Sequence, residues 1–174
     1  PQEFLQGLDD LSLAIALDLR VLQEACRCAA LWRATTGWTG RITVNLSGAL
    51  ARHPDLPAQV AHTLAAAGLP PTGLELELTE CPIGSQGAGP LGQIEALRTI
   101  AESGVVLTLD GYGTRHAALN SLLTLPVQRV ELAQSLVGDD SPRAGVVMRS
   151  IAALARELGL EVVGEGVETP AQAA

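Results

Sequence analysis

The chain has 174 residues, 47% of them hydrophobic and only 2% aromatic, and a formal charge of −8. That length suffices for one sizeable domain, whose core must be built from Leu, Val, Ile and Ala. All 11 basic residues are Arg and none is Lys, and an acidic chain without a basic run argues against general nucleic-acid binding. No run of about 18 apolar residues occurs, so no membrane span is expected. No secretory signal opens the chain, and the abrupt start at PQEF is expected to mark a fragment of something longer. Cys26, Cys28 and Cys81 are odd in number and the C-x-C pair has no partner pair. Reduced thiols of a cytoplasmic protein are therefore expected, not a zinc site or a disulfide.

In chain order, residues 11–33 read as a helix opened by Asp9 or Asp10, with Leu11, Ile15, Leu19, Leu22 and Cys26 on one stripe. RITVNLS, 41–47, reads as a strand. Asp55 is expected to cap a second helix with Pro57 in its first turn, ended by Gly68. LELELTE, 74–80, is a second strand, followed by a Gly/Pro-rich loop over 82–92 and a helix to about Ser103. VVLTLD, 105–110, is a third strand, and a short helix follows over about 116–123. RVELA, 129–133, is a fourth. Ser141-Pro142 opens a helix with Val147, Ile151, Leu154 and Leu158 as its apolar stripe and Gly159 as its stop. LEVVGEGVET, 160–169, is a fifth strand and its exit loop.

Strands alternating with helices, in units of about 30 residues, imply an α/β fold with a parallel sheet and right-handed crossovers. An open doubly wound sheet and a TIM-like barrel both fit. Asn45, Glu80, Asp110 and Glu165 each fall at or just past the C-terminal end of a different strand. In a barrel those ends converge on one mouth; in an open sheet they spread along an edge. The dinucleotide fingerprint is missing, because Gly111 and Gly113 are followed by His116 where it needs glycine. A barrel is the better expectation, although the chain falls short of the ~250 residues typical of one.

TVNLS, ELTE, LDGYGT and EGVET, in this order and at strand ends, resemble the motifs of the EAL domain, the bacterial cyclic di-GMP phosphodiesterase module. The resemblance runs over essentially the whole chain. It implies a single EAL-type (β/α)8 barrel domain over 1–174, lacking the family's first strand and its last barrel units. It also implies two Mg²⁺ or Mn²⁺ ions acting on a cyclic dinucleotide, a linked GGDEF or sensory domain, and a homodimer. By resemblance, Asn45, Glu80 and Asp110 would hold one metal, Glu165 would serve the second metal or its water, and Glu168 would tie down the loop after Asp110. All offer oxygen donors, which hard divalent ions prefer.

The departures from the family pattern are specific. A second Asp follows the first in active members, and here that position is Gly111. A Lys-x-Asp in active members aligns with Glu131 and Ala133. Period-2 alternation would put both changes on one side of the site. The lost Lys has no substitute, since the chain contains none. The loop after the Asp pair is also altered, with Arg115 where the family has Gly. Glu131 as a replacement metal ligand is the rescue reading. The expectation is a degenerate, non-catalytic EAL domain that senses cyclic di-GMP or docks a regulatory partner. The alternatives are a weak metal-dependent phosphodiesterase and an interaction module that no longer binds nucleotide. His53, His62 and His116 show no ligand spacing, and Ser47 lacks a nucleophile elbow.

Overall fold

The computed structural model describes residues 11–79, 90–113, 119–169 and 172. The expectations placed on Asp9, Asp10, Glu80, Cys81, Arg115, His116 and residues 82–89 lie outside them. Helix α1, Leu11–Thr36, is followed by strand β1, Ile42–Leu46, the short helix α2, Gly48–Ala51, and helix α3, Leu56–Ala67. Strand β2, Leu74–Thr79, leads to α4, Pro90–Glu102, and β3, Val106–Tyr112. Then come α5, Leu119–Thr124, β4, Arg129–Leu132, the short α6, Gln134–Val137, α7, Pro142–Glu157, and β5, Glu161–Gly164.

Local chemistry explains most of the boundaries. Gly68 takes the left-handed conformation (φ 67°) and its N–H reaches the carbonyls of Leu64 and Ala65, ending α3. The Ser141 hydroxyl accepts from the Ala144 N–H, and Pro142 supplies the preset first helical φ of α7. Three expectations need correction. Asp55 stands at the start of α3 but makes no side-chain cap; its backbone N–H instead donates to His53 Nδ1 at 3.2 Å. Residues 90–92, read as loop, already belong to α4. In α7, Val147 and Leu158 are exposed, while Ala144 and Ala155 are buried. The contact face is thus turned toward small residues that let the helix approach closely.

The five strands pair in parallel in the order β1-β2-β3-β4-β5. A doubly wound sheet reverses its strand order at a switch point; an unreversed order with right-handed crossovers keeps every helix on one face. That is the arrangement of a TIM-like barrel, here a partial one. The side chains agree. Val44, Leu46, Leu74, Leu76, Leu78, Leu107, Leu109, Val130 and Leu132 are buried toward the helices, with Leu22, Cys26 and Ala29 of α1 in the same core. The alternate positions are polar: Glu75, Glu77, Thr108, Asp110, Arg129 and Glu131. A sheet covered by helices on both faces would read as near-continuous hydrophobic strands.

The lower part of this polar face is closed by an ion network. Glu75, 3% exposed, receives both Arg129 Nη1 contacts at 2.9 Å, the Thr108 hydroxyl at 2.6 Å and Arg41 Nε at 3.4 Å. Arg129 Nη2 also donates to Glu161 at 2.6 Å. The guanidinium therefore links β2, β4 and β5 across the lumen. Removing one partner of a buried pair strands a charge, whereas exposed pairs contribute little. Arg129→Ala is expected to lower stability by about 3–5 kcal/mol and Glu161→Ala by about 1 kcal/mol or less, measured by urea unfolding.

Candidate functional site

Strand register decides which side chains share the mouth. Asn45 pairs with Glu77, and Thr79 pairs with Asp110. Between β3 and β4, Leu109 pairs with Val130 and Tyr112 with Leu132, so Asp110 and Gly111 together oppose the single Glu131. This is a β-bulge, a feature common beside active sites because it re-aims side chains. Gly111 takes φ 69°, and a Cβ there would meet open space. The extra residue returns Tyr112 to the apolar side, where it is 3% exposed. Gly113 (φ 102°) lets β3 leave against α6, since a Cβ would lie 2.7 Å from Leu136 Cδ2.

Asp110 and Glu131 are half-buried, and Asn45 is exposed. Glu165 is exposed, but its N–H donates to the Leu132 carbonyl at 3.1 Å, which fixes it past the end of β4. Ala133, 5% exposed, starts α6 and donates to the Tyr112 carbonyl at 3.1 Å. Glu168 is exposed, and its N–H donates to Gln172 Oε1 at 2.8 Å; of the loop after Asp110 that it was expected to tie down, residues 114–118 lie outside the described residues.

One important residue was not singled out from the sequence. Glu77 is half-buried next to Asn45, and its carboxyl is pushed up to about 7, first by burial and then by the charges of Glu131 and Asp110. Glu131 is raised by burial and by Asp110, while its hydrogen bond with Glu77 acts in the opposite direction. Repulsion between the two carboxyls favours a proton held by the pair. Burial, followed by the Glu165 charge, raises Asp110 as well. The signal for Glu77 was present in LELELTE, whose alternation puts Glu75 and Glu77 on the face opposite the leucines.

The mouth therefore gathers Glu77, Asp110, Glu131 and Glu165 into mutual repulsion, while Arg129 below is engaged by Glu75 and Glu161. Hard oxygen donors with unbalanced negative charge suit a divalent cation. Among the described residues no three His, Cys, Asp or Glu side chains converge enough to hold an ion by themselves. The donor chemistry fits a hard divalent metal.

A partial parallel α/β barrel with carboxylates gathered toward its strand ends defines the class. The chain belongs to the EAL family, whose domain pattern matches residues 1–174. The bifunctional diguanylate cyclase/cyclic di-GMP phosphodiesterase MucR of Pseudomonas aeruginosa is 33% identical over 175 residues, 99% of this chain and 25% of MucR. The solved MucR phosphodiesterase in complex with c-di-GMP superposes with a TM-score of 0.87 at 30% identity, covering 99% of this chain and 69% of that one. The cyclic di-GMP phosphodiesterase NbdA of the same organism is 33% identical over 176 residues, 100% of this chain and 22% of NbdA. A manganese/c-di-GMP complex of Klebsiella pneumoniae BlrP1 superposes with a TM-score of 0.72 at 26% identity, covering 88% of this chain and 40% of that one. The chain spans about a fifth to a quarter of the length of the curated relatives it matches. Among the described residues no helix is long and apolar enough to cross a membrane.

The raised carboxyls give a signed pH dependence. Groups whose folded pKa lies above the unfolded value bind more protons when folded, so stability falls as pH rises through that window. For Glu77 the window runs from the ordinary 4.5 to about 7. In EDTA, urea unfolding is expected to give a lower stability at pH 7.5 than at pH 5. Glu77→Gln is expected to flatten that slope.

Proposed function

We propose that this EAL domain acts in cyclic di-GMP signalling as a nucleotide-sensing or regulatory domain with little or no phosphodiesterase activity. The observation that carries the reading is the uncompensated negative charge at the mouth. Glu131 stands where the family pattern has Lys, and it lies against Glu77 and Asp110. No Lys exists elsewhere in the chain to take over. Separately from the charge at 131, Gly111 and Ala133 stand where active members carry carboxylates, which removes two donors for a second metal.

Asn45, Glu80, Asp110 and Glu165 are the residues that would hold Mg²⁺ or Mn²⁺. Bound there, the ion supplies Lewis-acid charge toward a phosphodiester oxygen. The chain's own contribution is orientation and field. Asp110 faces the mouth by ordinary strand alternation from Thr108, and Glu131 adds a negative charge facing an anionic substrate. A unit-charge interaction at ~4 Å and an effective dielectric of about 20 is about 4 kcal/mol, and that loss is on the order of 10³ in rate. Exchanging a cation for an anion doubles the swing.

A second reading, a weak metal-dependent phosphodiesterase, draws support from a carboxylate group whose repulsion a divalent ion would relieve. A linked GGDEF or sensory domain and a homodimer belong to the same proposal. MucR's name, which couples a cyclase with a phosphodiesterase, supports the former.

Calorimetric titration with cyclic di-GMP, with and without Mg²⁺ or Mn²⁺, combined with analysis for the linear dinucleotide, tests the proposal. Binding without product is the expected result. Clear turnover by the purified protein would overturn it, and absence of binding would leave an interaction module. The triple variant Gly111→Asp, Glu131→Lys, Ala133→Asp is expected to hydrolyse the nucleotide. Returning residue 131 to Glu in that background should cost on the order of 10³ in rate.

A further inference from the structure

We propose that Asp18 is a positioning residue for the ligand-bearing end of β1. The inference rests on the reading of Asn45 as a metal ligand. Asp18 belongs to α1, 29 residues before the group it holds: its Oδ2 accepts the Ser47 hydroxyl proton. The same Ser47 Oγ accepts from the Leu50 N–H at 3.2 Å, capping α2. Both capacities of one hydroxyl are thus used, one toward a long helix and one toward a short one. Ser47 is also the hinge of the chain here, extended at φ −64° and ψ 153° before the backbone turns into α2.

Asn45 lies two residues before that hinge. Its side chain is exposed, and no side-chain hydrogen bond holds it among the described residues. The backbone over 45–47 therefore sets where the Asn45 side chain starts, and its rotamer is left to the ion it would bind. The strand side of that segment is fixed by pairing with β2. The far side is fixed by Ser47, whose partners are α2, packed into the core through Leu50 and Ala51, and Asp18. Helix α1 supplies a firm anchor, with Leu22, Cys26 and Ala29 at 0–1% exposure. The carboxylate also fixes the direction of the Ser47 hydroxyl proton, which leaves the oxygen lone pairs to the cap. Groups that orient a metal ligand from behind typically change metal affinity by about 10–100-fold when removed.

Mn²⁺ affinity by calorimetry, with thermal melting measured in parallel, separates positioning from simple stabilisation. Asp18→Ala is expected to weaken Mn²⁺ binding about tenfold or more. Asp18→Asn, which keeps an acceptor oxygen, should restore affinity to within a few-fold of the original. Ser47→Ala removes the same bond from the other side and should weaken binding even if Asp18→Ala does not fold. Glu24→Ala, a partly exposed change on the same helix that loses a pair with Arg27 and a long contact from Cys28 Sγ, should leave Mn²⁺ affinity unchanged. A lowered melting temperature with unaltered Mn²⁺ affinity in both Asp18→Ala and Ser47→Ala would overturn the inference. Asn45→Ala distinguishes the underlying reading: if the original protein binds Mn²⁺ and this variant binds it equally well, the ligand assignment fails, and the inference with it.

Discussion

Residues paired in a parallel sheet point to the same face, and that constraint organises this molecule. Leucines on one side of β2 and glutamates on the other cannot be exchanged without shifting the register of the whole strand. The helices cover the leucine face, so every charge on the strands is gathered into one lumen. The lower row solves the resulting electrostatic problem: Glu75 meets Arg129, Arg41 and Thr108, and Glu161 shares the same guanidinium. The upper row does not. Glu77, Asp110, Glu131 and Glu165 face one another with protonation raised at the first three.

That difference between two adjacent rows links the fold to the proposed chemistry. A site that handles phosphate needs positive charge at the place where phosphate arrives. Here the available guanidinium is held one row too deep, and the strand position nearest the mouth is Glu131. The bulge sets two consecutive β3 residues, Asp110 and Gly111, against Glu131, and only the first carries a carboxylate. On the proposed reading, the frame for metal chemistry lacks part of its donor set. A domain in that condition can still bind a nucleotide or a protein, because binding tolerates charge defects that a rate does not.

The strands, the helix stops at Gly68 and Gly159, and the cap at Ser141 were all legible in the sequence, because each rests on local chemistry. The barrel followed from polar residues at strand ends, and the unreversed strand order bears it out. What escaped was mostly relational. Glu77 sat inside a strand, so attention fell on strand ends; its meaning comes from Glu131, 54 positions later on a different strand. The bulge adds a residue to β3 relative to β4, and no single strand shows that. The tether from Asp18 to Ser47 joins a helix to a strand end, again with no local mark. Asp55 misled because an Asp before a Pro-containing first turn is a good cap pattern, but the turn made by His53 already engages that backbone.

The most direct measurement is the count of manganese ions by anomalous scattering in crystals of the protein with cyclic di-GMP. The account predicts at most one well-occupied ion, near Asn45 and Asp110, with no ligand from Glu131. Two fully occupied ions, one of them bound by Glu131, with the dinucleotide aligned for attack, would contradict it.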